Sequence, residues 1–405
     1  MSPAQIRLNT WRIISPSKEG CSLDKIFCVE LTGNHRFYNL SLPATDYDLL
    51  DALDRLGMTG QDNPQWEITE HTHFQYLELY LVNECSIYEL NALSYRLSCM
   101  DRRQEAAFEG LFRTALNQRK GPMSVADLFT YANSTECCHV LSGVMDDAGL
   151  GRFYAENGFV PEVENIPDTV FDLLDFDKIG KSVRVSEQGL FTSLGYVVQN
   201  EDLNLDTLTH DNPPQRPDYE ILLRLSNGPH TTQLKLPATS SEMDHALDEI
   251  GMGSWEELEI RCLDCAVPNL REAINEAVSL AHVNRLAERL SKLDHESMVK
   301  YKAILTAVEV DDVIEASLLA DHLTEYSVET ELYDPPSIAK AELHTICFGR
   351  TSEALLPHVN LYAYGEALLQ NENFALTDYG LVVRLNGEPI QSQTEPSRWC
   401  GMEMK

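Results

Sequence analysis

The feature that most constrains this chain is that it repeats itself. Residues 42–58 read LPATDYDLLDALDRLGM and residues 236–252 read LPATSSEMDHALDEIGM, with nine of 17 positions identical at an offset of 194. Residues 91–101, NALSYRLSCMD, answer residues 284–294, NRLAERLSKLD, at an offset of 193. A closing block, LDFDKIGKSVRVSEQGLFTSLGYVV at 174–198, answers VNLYAYGEALLQNENFALTDYGLVV at 359–383, at an offset of 185. Chance can produce one such match, but not three in the same order at nearly constant offset. Self-similarity of this kind marks a repeated folding unit. The expected organisation is an N-terminal extension at 1–25, a first unit at 26–200, a linker at 201–217, a second unit at 218–388 and a flexible tail at 389–405. Pro213, Pro214 and Pro217 disfavour helix in the linker.

Each unit carries the same coarse signals. A β-branched and aromatic run, KIFCVEL or YEILLRL, predicts a strand, and FYNLSL or TTQLKL predicts its partner. Thr45 and Thr239 stand where helix N-caps belong, and Gly57 and Gly251 where those helices should stop. A third strand, EITEHT or LEIRCLD, follows. Leu90, Leu93 and Leu97, and likewise Leu286, Leu290 and Leu293, recur at helical spacing. Each unit then ends in a β-like segment. The expected class is α+β: a tandem repeat of an elongated, multi-lobed unit with small antiparallel sheets and a helical middle lobe.

The sign of the charge constrains function. The 405 residues carry 64 Asp and Glu against 31 Lys and Arg, a net charge of −33. Residues 26–200 hold 26 acids and 12 bases, a net of −14; residues 218–388 hold 30 and 12, a net of −18. The excess therefore belongs to both units and not to a tail. Such a surface repels nucleic acid and anionic lipid and attracts a basic groove. Within the units the acids cluster. Asp146, Asp147, Glu156, Glu162, Glu164, Asp168, Asp172, Asp175 and Asp177 stand against one base, Arg152. Glu309, Asp311, Asp312, Glu315, Asp321, Glu325, Glu329, Glu331 and Asp334 stand against none. Asp321, Glu325 and Glu329 have the four-residue spacing of one helix face, as do Asp311 with Glu315 and Asp168 with Asp172. Like charges so placed cost a few tenths of a kcal/mol per pair, so the pattern implies either a use for the charge or acids splayed over different faces. Duplex DNA carries one charge per about 1.7 Å, so 33 charges match roughly 56 Å of duplex. These 18 acids are the candidate partner-binding surface, taken collectively.

Enzymatic chemistry finds little support. Nucleotide-binding, nucleophile-elbow and zincin motifs do not occur in the sequence. Cys262 and Cys265 form a CxxC, but a structural zinc wants four ligands. Cys137, Cys138 and His139 are a weak complement. Neither a cofactor nor a metal is expected. Ten cysteines in 405 residues suit a reducing compartment. The opening residues show no apolar core followed by a small-residue cleavage site, and no apolar run approaches the roughly 18–20 residues of a membrane span, so neither a secretory signal nor a span is expected. The expected location is cytoplasmic, with neither nucleic acid nor membrane as partner.

The closing block carries a resemblance. Tyr364, Gly365, Phe374, Thr377, Tyr379, Gly380 and Val383 fill a pattern similar to the C-terminal signature of the ArdA antirestriction family. The first copy keeps Asp175, Phe176, Gly180, Phe191, Thr192, Gly195 and Val198, and departs at Ile179, where an aromatic is usual. The Asn91 and Asn284 blocks resemble the family's central helix. The resemblance implies a non-enzymatic, elongated mimic of B-form DNA, borne on conjugative elements. It implies binding to the methyltransferase–specificity core of type I restriction–modification enzymes. Members of that family usually hold one unit and form homodimers. Two fused units imply either an intramolecular pseudo-dimer or an array that forms a homo-oligomer. The same features fit an acidic mimic or adaptor aimed at a CRISPR effector, a nucleoid protein or a transcription factor. A hydrolase or metal enzyme is a third reading.

Overall fold

A computed structural model of the chain describes residues 24–60, 62–77, 85–118, 123–163, 166–204, 212–253, 255, 258–277, 279–347 and 350–390. Alternation builds the first sheet. Strand β1 (Phe27–Gly33) buries Phe27, Val29 and Leu31 on one face, the period-two pattern of a half-buried strand. It pairs antiparallel with β2 (Arg36–Leu42). Asn34 and His35, at φ 48° and 62°, make the turn between them, as a tight hairpin with right-handed twist requires. Thr45 opens α1 (Asp46–Arg55): its hydroxyl accepts the Asp48 N–H at 3.1 Å, and the Asp48 carboxylate accepts the Thr45 N–H at 3.2 Å. Gly57, at φ 63°, follows the last turn. Strand β3 (Gln65–His71) then returns to the other edge of β1, with a bulge between Cys28 and Val29.

Helices α2 (Ile87–Ser98), α3 (Arg102–Gln118) and α4 (Val125–Asn133) make a helical middle layer. Leu90, Leu93 and Leu97 of α2 are buried, as their spacing predicts. Then come β4 (Cys138–Ser142), α5 (Asp147–Glu156), the one-turn α6 (Asp168–Phe171), α7 (Phe176–Glu187), β5 (Leu190–Phe191) and β6 (Gly195–Gln199). These strands form a second antiparallel sheet, in the order β4-β6-β5. The rest of the chain follows a matching path. It runs β7 (Ile221–Asn227), β8 (His230–Leu236), α8 (Ser240–Glu249) and β9 (Glu259–Cys265), then α9 (Arg271–Asn275), α10 (Leu280–Leu290), α11 (His295–Val308) and α12 (Val313–Leu319). It finishes with β10 (Tyr326–Glu329), α13 (Pro335–Cys347), α14 (Arg350–Leu355), α15 (Leu361–Leu368), β11 (Phe374–Thr377) and β12 (Gly380–Arg384). The sheets β8-β7-β9 and β10-β12-β11 have the same order and sense as their counterparts. The chain is α+β, with four small antiparallel sheets among the described residues.

Several residues shared by the two copies have the same task twice. Asn91 accepts the Ala44 N–H at 2.7 Å and donates to the Ala44 carbonyl at 3.0 Å. Asn284 does the same to Ala238, at 2.8 and 3.1 Å. Each asparagine thus satisfies both backbone groups of a residue just before a helix, tying the middle layer to the sheet-and-helix lobe. Thr239 caps α8 through Glu242 as Thr45 caps α1 through Asp48. Gly151 on α5 and Gly180 on α7 let the two helices cross at backbone contact: a Cβ on Gly151 would lie 1.9 Å from the Phe176 carbonyl oxygen. Gly365 does this for α15, where a Cβ would lie 1.9 Å from the Pro335 carbonyl oxygen.

The buried apolar residues fall into two clusters that follow the two halves, with one exchange. Tyr47, from α1 in the first half, is 4% exposed within the second cluster. Two residues of the expected tail are also held: Ile390 is half-buried against that cluster, and the Pro389 carbonyl accepts from Arg384 at 2.7 Å. The remaining tail, 391–405, and the extension at 1–23 lie outside the described residues.

Candidate functional site

The acids expected to form a partner surface divide by what they bind inside the protein. In the first segment, Asp146 caps α5 by accepting the Gly149 N–H at 2.7 Å, and Asp175 caps α7 by accepting the Lys178 N–H at 3.1 Å. Both remain exposed. Asp147 takes a two-pronged contact from Arg184 at 2.7 and 2.9 Å, which ties α5 to α7. The guanidinium hydrogen bonds hold this carboxyl below its ordinary range. Glu156 stands 3.7 Å from Arg152, and Glu162, Asp172 and Asp177 are exposed. Asp168 opens α6. Glu164 lies outside the described residues.

In the second segment, Asp312 caps α12 by accepting from Ile314 and Glu315, and Asp334 accepts the Ser337 N–H at the start of α13. Asp321 pairs with Arg289 at 2.8 Å, Glu325 with His322 at 2.9 Å, and Glu329 accepts the Ser327 hydroxyl at 3.0 Å. Glu309 ends α11 at φ 57°; Asp311 and Glu331 are exposed and Glu315 is half-buried. The helical spacing expected of these acids is corrected here. Asp321 lies in a turn, Glu325 in a single 3₁₀ turn and Glu329 in β10. The chain turns into a strand because Tyr326 and Val328 pair with Arg384 and Val382 of β12. Asp311 precedes α12 while Glu315 is on it, and Asp172 lies beyond the end of α6. The acids therefore splay over several elements and do not stack on one face.

A second charged constellation was hidden from sequence reasoning. Helix α1 of the first half docks on the second half through buried charges. The Lys302 ammonium on α11, 3% exposed, meets Asp51 Oδ1 at 2.8 Å and Asp54 Oδ2 at 2.9 Å. Asp51 also accepts from Arg55 Nε at 2.8 Å and from the Tyr379 hydroxyl at 2.8 Å. Arg55 stacks 4.6 Å from the Tyr379 ring centroid, pairs with Asp378 and donates to Asn269 at 3.1 Å. Near the helix start, Arg271 bridges Asp48 at 2.8 Å and Asp264 at 3.0 Å. Thr45 donates to Asp264 at 2.7 Å, and the Tyr47 hydroxyl donates to the Tyr219 carbonyl.

Charge matching decides the protonation of this dock. Burial lowers the Lys302 pKa, but Asp51 and Asp54 outweigh it and the ammonium is held above its ordinary value. Burial raises Asp51, yet Lys302 and Arg55 carry it below the usual carboxylate range. Burial dominates at Asp54, whose carboxyl is raised despite Lys302. The only sequence signal was negative. At the matching positions the copies differ: Tyr47 answers Ser241, Asp51 answers His245, Arg55 answers Glu249, and Lys302 answers Glu109. The dock is thus a one-time contact between halves, built where the copies diverge.

The CxxC is part of the core. Cys262 and Cys265 are buried on β9, and Cys265 Sγ accepts the Val267 N–H at 3.4 Å. Among the described residues, no helix is long and apolar enough to cross a membrane. No family model matches the chain, and no curated protein matches its sequence.

Proposed function

We propose that this chain is an antirestriction protein of the ArdA type, a non-enzymatic acidic mimic of duplex DNA. It occupies the DNA groove of the methyltransferase–specificity core of type I restriction–modification enzymes. The observation that carries this reading is the placement of the charge: nets of −14 and −18 lie within two folded halves, outside any tail. The exposed carboxylates of Glu156, Glu162, Asp172, Asp177, Asp311 and Glu331 support it. So do the glycines and threonines of the closing block, which fill the family-like pattern in both halves. The α1 dock supports a pseudo-dimer within one polypeptide, since its ion pairs bind the halves to each other without a second chain.

The mechanism is competition. A basic groove that releases counterions when it binds DNA gains the same release from a carboxylate array of similar charge density. Affinity then falls steeply with salt, and complementary charge raises the association rate more than the final affinity. No metal, nucleotide or catalytic residue takes part. The test is DNA cleavage and methylation by a type I enzyme in the presence of the purified chain. Inhibition of both, relieved by added salt, is expected. Absence of binding to the core at low ionic strength overturns the assignment.

A further inference from the structure

The two halves differ in what fills one corner of the terminal sheet. In the first half, Cys138 of β4 pairs with Gln199 of β6, and beside them opens a cavity of about 570 Å³. Thr114 on α3 and the carboxylates Glu187, Glu201 and Asp202 line it, and among the described residues no Lys or Arg does. Glu187 is held in place: its carboxylate accepts the Tyr154 hydroxyl at 2.8 Å and the Tyr196 hydroxyl at 3.1 Å.

In the second half, the same register position pairs Tyr326 with Arg384. The neighbouring backbone bonds match too, Asn200 to Cys137 in one and Leu385 to Glu325 in the other. There the corner is filled from within. The Arg384 guanidinium lies 5.9 Å from the Tyr326 ring centroid, bonds Glu388 at 3.0 Å, and its side chain is 11% exposed. The chain then turns back so that the Ile390 N–H reaches the Glu372 carbonyl at 2.8 Å. Glu372 is the residue that answers Glu187.

We propose that the first-half cavity is a binding site for a guanidinium group supplied from outside the chain. One half fills this corner with its own arginine. The other has Cys138 and Gln199 where the ring and the arginine stand, lines the space with Glu187, Glu201 and Asp202, and leaves it open among the described residues. A planar guanidinium presents a fork of N–H donors that matches carboxylates two at a time, which a compact ammonium does not. The group can come from a free small molecule or from an arginine side chain on a protein partner. The proposal does not depend on the inhibition of restriction enzymes.

Calorimetric titration of the full chain with agmatine, 1,4-diaminobutane, and the peptides Gly-Arg-Gly and Gly-Lys-Gly tests it. Saturable binding of the guanidinium probes, at least tenfold tighter than the amine probes, is expected. Tighter binding of agmatine than of Gly-Arg-Gly identifies a small-molecule source, and the reverse identifies a protein-borne arginine. Glu187→Gln, which still accepts from the two tyrosines, combined with Asp202→Asn, weakens binding at least tenfold. The double variant Cys138→Tyr and Gln199→Arg installs the second half's pair and abolishes it. Glu272→Gln, far from the cavity on α9, leaves it unchanged. Equal binding of amine and guanidinium, no saturable binding, or full binding by Glu187→Gln/Asp202→Asn overturns the proposal. This last measurement stands even where the filled variant fails to fold.

Discussion

Lys302→Met removes one charge from the dock and keeps most of the buried side-chain volume. The ammonium sits 2.8 Å from Asp51 and 2.9 Å from Asp54. At an effective dielectric constant near 20, each contact is worth roughly 6 kcal/mol before desolvation. Desolvating three charges cancels most of that. What remains decisive is the state left behind: Asp51 and Asp54, 2% and 8% exposed, lose their shared cation. Removing one partner of a buried ion pair costs about 3–5 kcal/mol, a large share of the roughly 5–15 kcal/mol that holds a folded protein together. Hydrogen–deuterium exchange of α1 amides should therefore accelerate about 100-fold or more, at tenfold per 1.4 kcal/mol. Adding Asp54→Asn to Lys302→Met should recover part of the loss, with a coupling of about 1–3 kcal/mol in a double-mutant cycle by urea unfolding. A loss below about 1 kcal/mol with no coupling refutes the account of the dock.

Other outcomes follow from the same contacts. Asn284→Ala strands the buried Ala238 N–H and carbonyl and should cost about 1–3 kcal/mol in thermal unfolding, whereas an exposed substitution such as Glu272→Gln stays within about 0.5 kcal/mol. Gly151→Ala forces α5 off the α7 backbone and should destabilise by about 3 kcal/mol or disrupt the lobe, read as lost near-ultraviolet circular dichroism. Asp51 is held below 3.8 in the folded chain, so its contribution is present above pH 3.8 and fades as pH falls through its folded value. The stability gap between the native chain and Asp51→Asn should shrink below pH 3.8. Asp54, raised above 3.8, has the opposite sign: its folded form takes up a proton first, so the native chain should gain stability relative to Asp54→Asn as pH falls through the folded value of Asp54 towards 3.8.

What could be read from the sequence was local or repeated. Thr45 and Thr239 announce their caps because a capping box needs only neighbours along the chain. Phe27, Val29 and Leu31 announce a strand because burial on one face imposes a period of two. The matched Asn91 and Asn284 marked a shared structural task before its geometry was known. The dock was illegible for the converse reason. Asp54 and Lys302 lie 248 residues apart, and pairing across that distance leaves no periodic trace. In a chain with 64 acids, Asp51 and Asp54 read as two more solvated charges. The acidic surface was legible as a total but not residue by residue. Asp146, Asp175 and Asp312 serve as helix caps, and Asp147 and Asp321 are matched by arginines. Asp321, Glu325 and Glu329 had helical spacing in sequence, but the pairing of β10 with β12 outweighed it. The cavity beside Glu187 escaped because it is defined by a residue the second half has and the first lacks.

The central claim is that the chain displaces duplex DNA from a type I methyltransferase–specificity core. The direct measurement is competition: a fluorescent duplex bound to the core, titrated with the full chain across a range of salt. The account predicts complete displacement, at near-stoichiometric protein in low salt, weakening steeply as salt rises. Duplex that stays bound at every protein concentration in low salt contradicts it.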